Sequence, residues 1–246
     1  MGACVVDGIK GAADALMARY CACAAIVYGS RVSGEPLAES DLDVLIVSPE
    51  THEFEEIRIP PWTRALPVDC EIDLRLTTPA GARWSHVMSP EWRQAFFTGR
   101  LFGDWGWLRA DLPLSRQGAD DFFGDVAIQF GVAMDWGGTH EETVTDLVRV
   151  LRRELILEAA LQGEAAAWAY GRWSYFAGVA GVPVEMLDGV RRKEPAVLKG
   201  IRPEGLVGII TARMAVTEDL LRAYPHNEGD HVLTELLVGG AQAGVR

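Results

Sequence analysis

Two carboxylates, Asp41 and Asp43, stand one residue apart at the opening of an apolar run that continues through Val44, Leu45, Ile46 and Val47. On a β-strand, residues two apart leave from the same face, so this spacing predicts both acids on one side. Like charges held that close repel, and a divalent cation bound through oxygen removes the conflict. Upstream, the run Ala24 to Tyr28 ends in Gly29-Ser30. Glycine lets a backbone approach a ligand closely, and Ser30 adds a hydroxyl and an amide suited to phosphate oxygens. Arg31 and Ser40 bracket the polar loop between the two runs. Arg31 is placed either to reach a phosphate chain or to remain a surface arginine. Metal carboxylates beside a phosphate-holding turn point to phosphoryl or nucleotidyl transfer.

A third run, Val68 to Leu76, alternates Asp69, Glu71 and Asp73 with mostly apolar neighbours. Period two predicts a strand with its acids in line on one face. A solvated face more usually mixes both charge signs. Three aligned acids next to an Asp-x-Asp strand therefore nominate one of them to complete a metal site.

Gly29-Ser30, a loop, then Ser40-Asp41-Leu42-Asp43 resembles the G-S…D-x-D signature of the DNA polymerase β-like nucleotidyltransferase superfamily. Tyr28 before the glycine and the loop length resemble its kanamycin nucleotidyltransferase branch. The resemblance is specific at these motifs and loose beyond about residue 80. It implies Mg²⁺ held by Asp41, Asp43 and a third carboxylate on the neighbouring strand. Asp73 ranks first for that role, Glu71 second and Asp69 third. It further implies a nucleoside triphosphate, ATP or another, bound at Gly29, Ser30, Arg31 and Ser40. AMP would pass to a hydroxyl of an aminoglycoside-like small molecule, with release of pyrophosphate. The general base implied is a carboxylate late in a helix of the second domain, matched by Asp135 in Asp135-Trp136-Gly137-Gly138. Glu91, Glu141 and Glu142 are the other candidates. A homodimer is implied as well. The alternative within the same superfamily is a protein-modifying nucleotidyltransferase of toxin–antitoxin type.

The elements that must carry these residues follow from the remaining pattern. Ile9, Ala12, Ala13, Leu16 and Met17 recur at helical spacing, which predicts a helix over about 7–20 ahead of the first strand. Ser89-Pro90 reads as a helix start, with Pro79-Ala80-Gly81 closing the third strand. Gly99 to Pro113, rich in Gly, Trp and Asp, reads as a domain junction. Beyond Gln117 the pattern turns helical: one helix ends at Asp135, and Thr139 with Glu142 forms a capping box for the next, to about Gln162. An aromatic helix follows over about 164–179, then a basic loop at Arg191-Arg192-Lys193. A last long helix runs from Pro203 to about Tyr224, and the tail beyond Pro225 is too polar to place. The expected fold is α+β: a small mixed-sheet nucleotidyltransferase domain over 1–105, followed by an α-helical bundle over 106–246.

Composition narrows the partners. At 246 residues, 49% apolar and 24% charged, the chain is ordinary for a soluble globular protein. Its formal net charge of −12 argues against a nucleic-acid partner and better suits a cationic small molecule or a neutral sugar. Asp121 and Asp125, at i and i+4 with Asp120 beside them, are either a contact for a cationic acceptor or a solvated face. The four cysteines show no zinc-site spacing, and of the five scattered histidines only His226 and His231 in the tail stand at metal-ligand spacing. No signal-peptide pattern or membrane-length apolar run is present, so a cytoplasmic protein is expected. Walker, dinucleotide and serine-elbow motifs are absent.

Overall fold

The computed structural model describes residues 2–33, 40–49, 66, 68, 70–135, 138–163, 177–178 and 180–243. The chain divides into two compact units, Met1–His86 with Ala95–Asp111 and Val87–Gln94 with Leu112–Arg246. The architecture is mixed: a four-stranded sheet with helices, then a helical region. No helix among the described residues is long and apolar enough to cross a membrane.

The first unit is built on a sheet of order β3-β2-β1-β4. Its strands are β1 (Ala24–Tyr28), β2 (Leu42–Val47), β3 (Ile72–Thr77) and β4 (Arg100–Gly103). β2 runs antiparallel to β1 and parallel to β3, and β4 lies antiparallel on the far edge of β1. Period two gives the sheet two different faces. Ala25, Val27, Leu42, Val44, Ile46, Ile72, Leu74 and Leu76 form one core with Ile9, Ala13 and Leu16 of α1 (Gly2–Arg19). That spacing on α1 lays one stripe along the sheet, as the sequence pattern predicts. The opposite face carries Tyr28, Asp43, Asp73 and Arg75 at one end and buried Ile26, Leu45 and Val47 farther along.

The second unit is organised around α6 (His140–Gln162), which packs chiefly against α5 (Arg116–Asp135) and α9 (Pro203–Ala223). The capping box at its start is present. The Thr139 hydroxyl accepts from the Glu142 amide (3.3 Å), and the Glu142 carboxylate accepts from the Thr139 amide (2.8 Å). Val144, Leu147, Val148, Leu151, Leu155 and Ile156 are all buried.

Several local expectations need correction. β3 begins at Ile72, not Val68, because β2 begins at Leu42 opposite Ile72 and offers no earlier residue to pair with. The segment expected as a loop from Arg31 opens with one helical turn, α2 (Ser30–Ser33). β3 does end just before Pro79, at Thr77, but Pro79 also starts α3 (Pro79–Met88), where the Thr78 hydroxyl accepts from the Gly81 amide (3.1 Å). α4 (Pro90–Thr98) does start where expected, with the Ser89 hydroxyl accepting from the Trp92 amide (3.2 Å). The supposed junction after Gly99 holds the edge strand β4, too short to announce itself by periodicity. Arg191 ends a helix, α7 (Val184–Arg191), and Arg191 and Arg192 both pair with Asp188 (3.2 and 2.9 Å) instead of facing only water. α8 (Pro195–Gly200) was not foreseen. The tail forms α10 (Glu228–Ala243), whose start is fixed by the Asp230 carboxylate accepting from the Asn227 amide and the Asn227 side-chain oxygen accepting from the Gly229 amide. The aromatic helix expected over 164–179 lies largely outside the described residues.

One buried group shapes the stability of the helical unit. Glu154 of α6 is fully buried, and among the described residues neither carboxyl oxygen has a hydrogen-bond partner. Burial pushes its pKa up to about 7, the Thr217 hydroxyl on α9 opposes the shift, and Glu158 adds to it. Glu158 itself pairs with Arg213 (3.1 Å). A carboxyl whose folded pKa is raised stabilises the fold only while protonated, so that contribution fades as pH rises from about 4.5 through 7. Wild type should therefore lose about 1 kcal/mol of stability between pH 6 and 8 that Glu154→Gln does not lose. Urea denaturation of both proteins at each pH checks this, and parallel losses would contradict it.

Candidate metal and nucleotide site

Asp43 and Asp73 are each the second residue of their strands, and the parallel pairing of β2 and β3 sets them level. Asp41 precedes β2 by one residue, on the same side. One carboxylate oxygen from each of Asp41, Asp43 and Asp73 lies within 4.8 Å of the other two. This is the only such acidic cluster of three among the described residues. Glu71 is not part of it: it is exposed, ahead of β3, and its carbonyl accepts from the Leu42 amide (2.8 Å), which anchors the start of β2. Asp69 lies outside the described residues.

Gly29 follows β1 with φ at +80°, a conformation that favours glycine. A Cβ there would sit 1.9 Å from Asp43 Oδ2, so the turn is pressed directly against the carboxylate. The backbone then enters α2 at Ser30, with the Val32 amide donating to the Gly29 carbonyl (3.1 Å). Arg31 Nε donates to the Ser40 carbonyl at 2.7 Å. This bond ties the two ends of the loop together immediately before Asp41. Gly29, Ser30, Arg31 and Ser40 thus border the acidic cluster.

The electrostatics follow from crowding. Burial pushes the Asp43 pKa up to about 6, with Asp41 and Asp73 adding repulsion and Arg75 opposing them. Tyr28 pairs with Asp43 across β1 and β2. Burial pushes its phenol up to about 12, so it stays a neutral hydroxyl at physiological pH. Arg75, two residues beyond Asp73 on the same face, places Nη2 3.3 Å from Asp73 Oδ2. Arg75 was missed in the sequence, although its i+2 position from Asp73 carried the signal. Three hard oxygen donors with open surroundings fit a divalent cation of the Mg²⁺ kind, which takes few protein ligands and leaves room for water and phosphate oxygens.

The other candidates belong to the second unit. Asp135 is the exposed last residue of α5. Glu91 pairs with Arg153 (3.2 Å), and the Glu142 carboxylate is engaged in the capping box. Glu141 lies in the first turn of α6. Asp121 and Asp125 are exposed on α5, and Asp120 pairs with Arg116 (2.7 Å).

Residues 19–89 match the family model described as a nucleotidyltransferase domain. That segment contains Gly29, Ser30, Asp41, Asp43 and Asp73. It forms a nucleotidyltransferase domain, and the protein is a transferase enzyme. No curated protein matches the chain. Among solved structures, a nucleotidyltransferase-like protein from Exiguobacterium sibiricum 255-15 matches at 13% identity and a TM-score of 0.30. The match covers 97% of this chain and 81% of that one.

Cation binding at the trio requires Asp43 ionised, and its raised pKa sets the pH at which that happens. Protonation competes below about pH 6, so Mn²⁺ affinity should rise about tenfold from pH 5 to 7 and then level off. Without divalent ions the sign reverses: the protonated form stabilises the fold, and this contribution is lost as pH rises through about 6. Titration of Mn²⁺ by electron paramagnetic resonance measures the first effect. A flat profile over that range would remove Asp43 from the cation site.

Proposed function

We propose that this nucleotidyltransferase-domain enzyme moves a nucleoside monophosphate, AMP in the first instance, from a nucleoside triphosphate to a hydroxyl of a small, cationic, aminoglycoside-like acceptor. The observation that carries the proposal is the convergence of Asp41, Asp43 and Asp73 beside the Gly29 turn. Mg²⁺ held by the three carboxylates would supply charge neutralisation at the triphosphate and a lowered pKa at the attacking oxygen. The turn at Gly29-Ser30 offers backbone amides and a hydroxyl to the phosphate oxygens, and Gly29 keeps side-chain bulk out of their path. Arg31 donates to the Ser40 carbonyl, which fixes the backbone immediately ahead of Asp41.

In the reaction the acceptor oxygen bonds to the α-phosphorus, the bond to pyrophosphate breaks, and the hydroxyl proton passes to a general base. Asp135 is the base proposed from the family resemblance. Glu91 and Glu142 are weaker candidates, because each carboxylate already has a partner. The net charge of −12 and the exposed Asp121 and Asp125 support a cationic acceptor, which carboxylates hold by charge-assisted hydrogen bonds. Cys21 and Cys23, which form no disulfide, suit a reducing, cytoplasmic setting. A homodimer is proposed as well, supported by the exposed Ile128, Val132 and Met134 on α5.

The test is pyrophosphate release from labelled nucleotides with Mg²⁺, across a panel of aminoglycosides, neutral sugars and a protein acceptor. Asp41→Asn, Asp43→Asn and Asp73→Asn should each lower the rate by ~100-fold or more, while Glu71→Gln stays near wild type. Retained activity in Asp41→Asn or Asp43→Asn at saturating Mg²⁺ would overturn the metal reading. Modification of neutral sugars alone would overturn the cationic acceptor, and a monomeric mass by light scattering would overturn the dimer.

A further inference from the structure

We propose that Arg75 is a positioning residue of the carboxylate trio, its internal counter-ion, and that it competes with a bound divalent cation for Asp73. The proposal rests on the metal-site reading above and assigns a role to a residue outside it.

Geometry supports it from three directions. β3 places Arg75 two residues beyond Asp73, so both side chains leave from the same face. The guanidinium reaches back, with Nη2 3.3 Å from Asp73 Oδ2, one of the three acids within 4.8 Å of each other. Asp43, level with Asp73 across β2 and β3, lies close enough that its charge and that of the guanidinium favour one another.

The side chains of Arg75 and Asp73 are 63% and 36% exposed. An ion pair so open to water does little for folding, and its consequence lies in the site's charge. Three converging carboxylates without a cation repel, and one guanidinium beside them offsets part of that repulsion. The same positive charge repels any divalent cation drawn to the trio, and the hydrogen bond to Asp73 withholds an oxygen from it. Arg75 therefore trades cation affinity for order in the acidic cluster. It makes the trio a moderate binder by itself, one that gains from the anionic phosphate chain of a nucleotide.

The experiment is Mn²⁺ binding to the full chain without nucleotide, followed by electron paramagnetic resonance, for wild type, Arg75→Gln and Arg75→Lys. Circular dichroism confirms that each variant is folded. Removing the charge should tighten Mn²⁺ binding about three- to tenfold in Arg75→Gln. Arg75→Lys keeps the charge and should restore the wild-type Kd, which a purely structural role would not distinguish. Adding a non-hydrolysable nucleotide should narrow the gap between wild type and Arg75→Gln, because its phosphates supply the missing balance. An unchanged Kd in Arg75→Gln, or equal tightening in both variants, overturns the proposal while leaving the metal site standing. Absence of Mn²⁺ binding in all three proteins overturns the metal-site reading and this inference with it.

Discussion

Mutual repulsion among Asp41, Asp43 and Asp73 is the constraint on which the arrangement of the first unit turns. Three carboxylates do not stay within 4.8 Å of one another unless the backbone holds them there. The sheet does this through register. Parallel pairing of β2 with β3 sets Asp43 level with Asp73, and antiparallel pairing with β1 brings Tyr28 alongside. α1 secures that register by burying the opposite face, where a one-residue slip of either strand would send apolar side chains into water. The core on one side of the sheet thus maintains the charge conflict on the other. Such a conflict is a standing cost to the fold, of the kind found where a site is organised for a ligand.

Gly29 shows how narrow the tolerance is. The turn must pass close enough to Asp43 that a single added carbon would overlap its carboxylate. A backbone that close is in position to offer its amides to whatever the carboxylates hold, which no longer side chain would allow. Arg31 adds a second constraint by donating to the carbonyl of Ser40, the residue just before the first acid.

The core of the site was legible because it depends on local patterns. Two apolar runs, a Gly-Ser turn and acids spaced by two residues specify strand faces directly. The two central strands fall where those runs predict, and α6 begins at its predicted capping box. What could not be read depends on pairing at a distance. β4 has only two large apolar residues, Leu101 and Phe102, and exists because β1 offers it an edge. The start of β3 is set by where β2 begins, not by the alternation of its own residues. α10 looks polar and Gly-rich in isolation, yet Asp230 accepts from the Arg116 amide and Asn227 donates to the Leu114 carbonyl, tying the tail to residues more than a hundred positions earlier. Arg75 was passed over for a different reason. An arginine among acids reads as ordinary charge mixing until its partner is seen.

Two carboxyls with strongly raised pKa values separate function from strain. Asp43 and Glu154 are both pushed up mainly by burial, to about 6 and about 7. Perturbation by itself does not mark a site, because structural groups are perturbed as well. The surroundings decide. Asp43 has two further acids converging on it, a turn pressed against it and an arginine beside them, and the trio keeps exposed surface through Asp41. In the proposed metal site, ionising Asp43 would prepare it for a cation. Glu154 is closed between α6 and α9, with the Thr217 hydroxyl as its nearest polar relief and Glu158 adding repulsion. Ionising Glu154 works against burial and against the neighbouring Glu158, and the helical unit bears the cost. The same physical shift thus suits the proposed cation site in one unit and weakens the other, and the difference lies in what the neighbouring strands and helices place around the carboxyl.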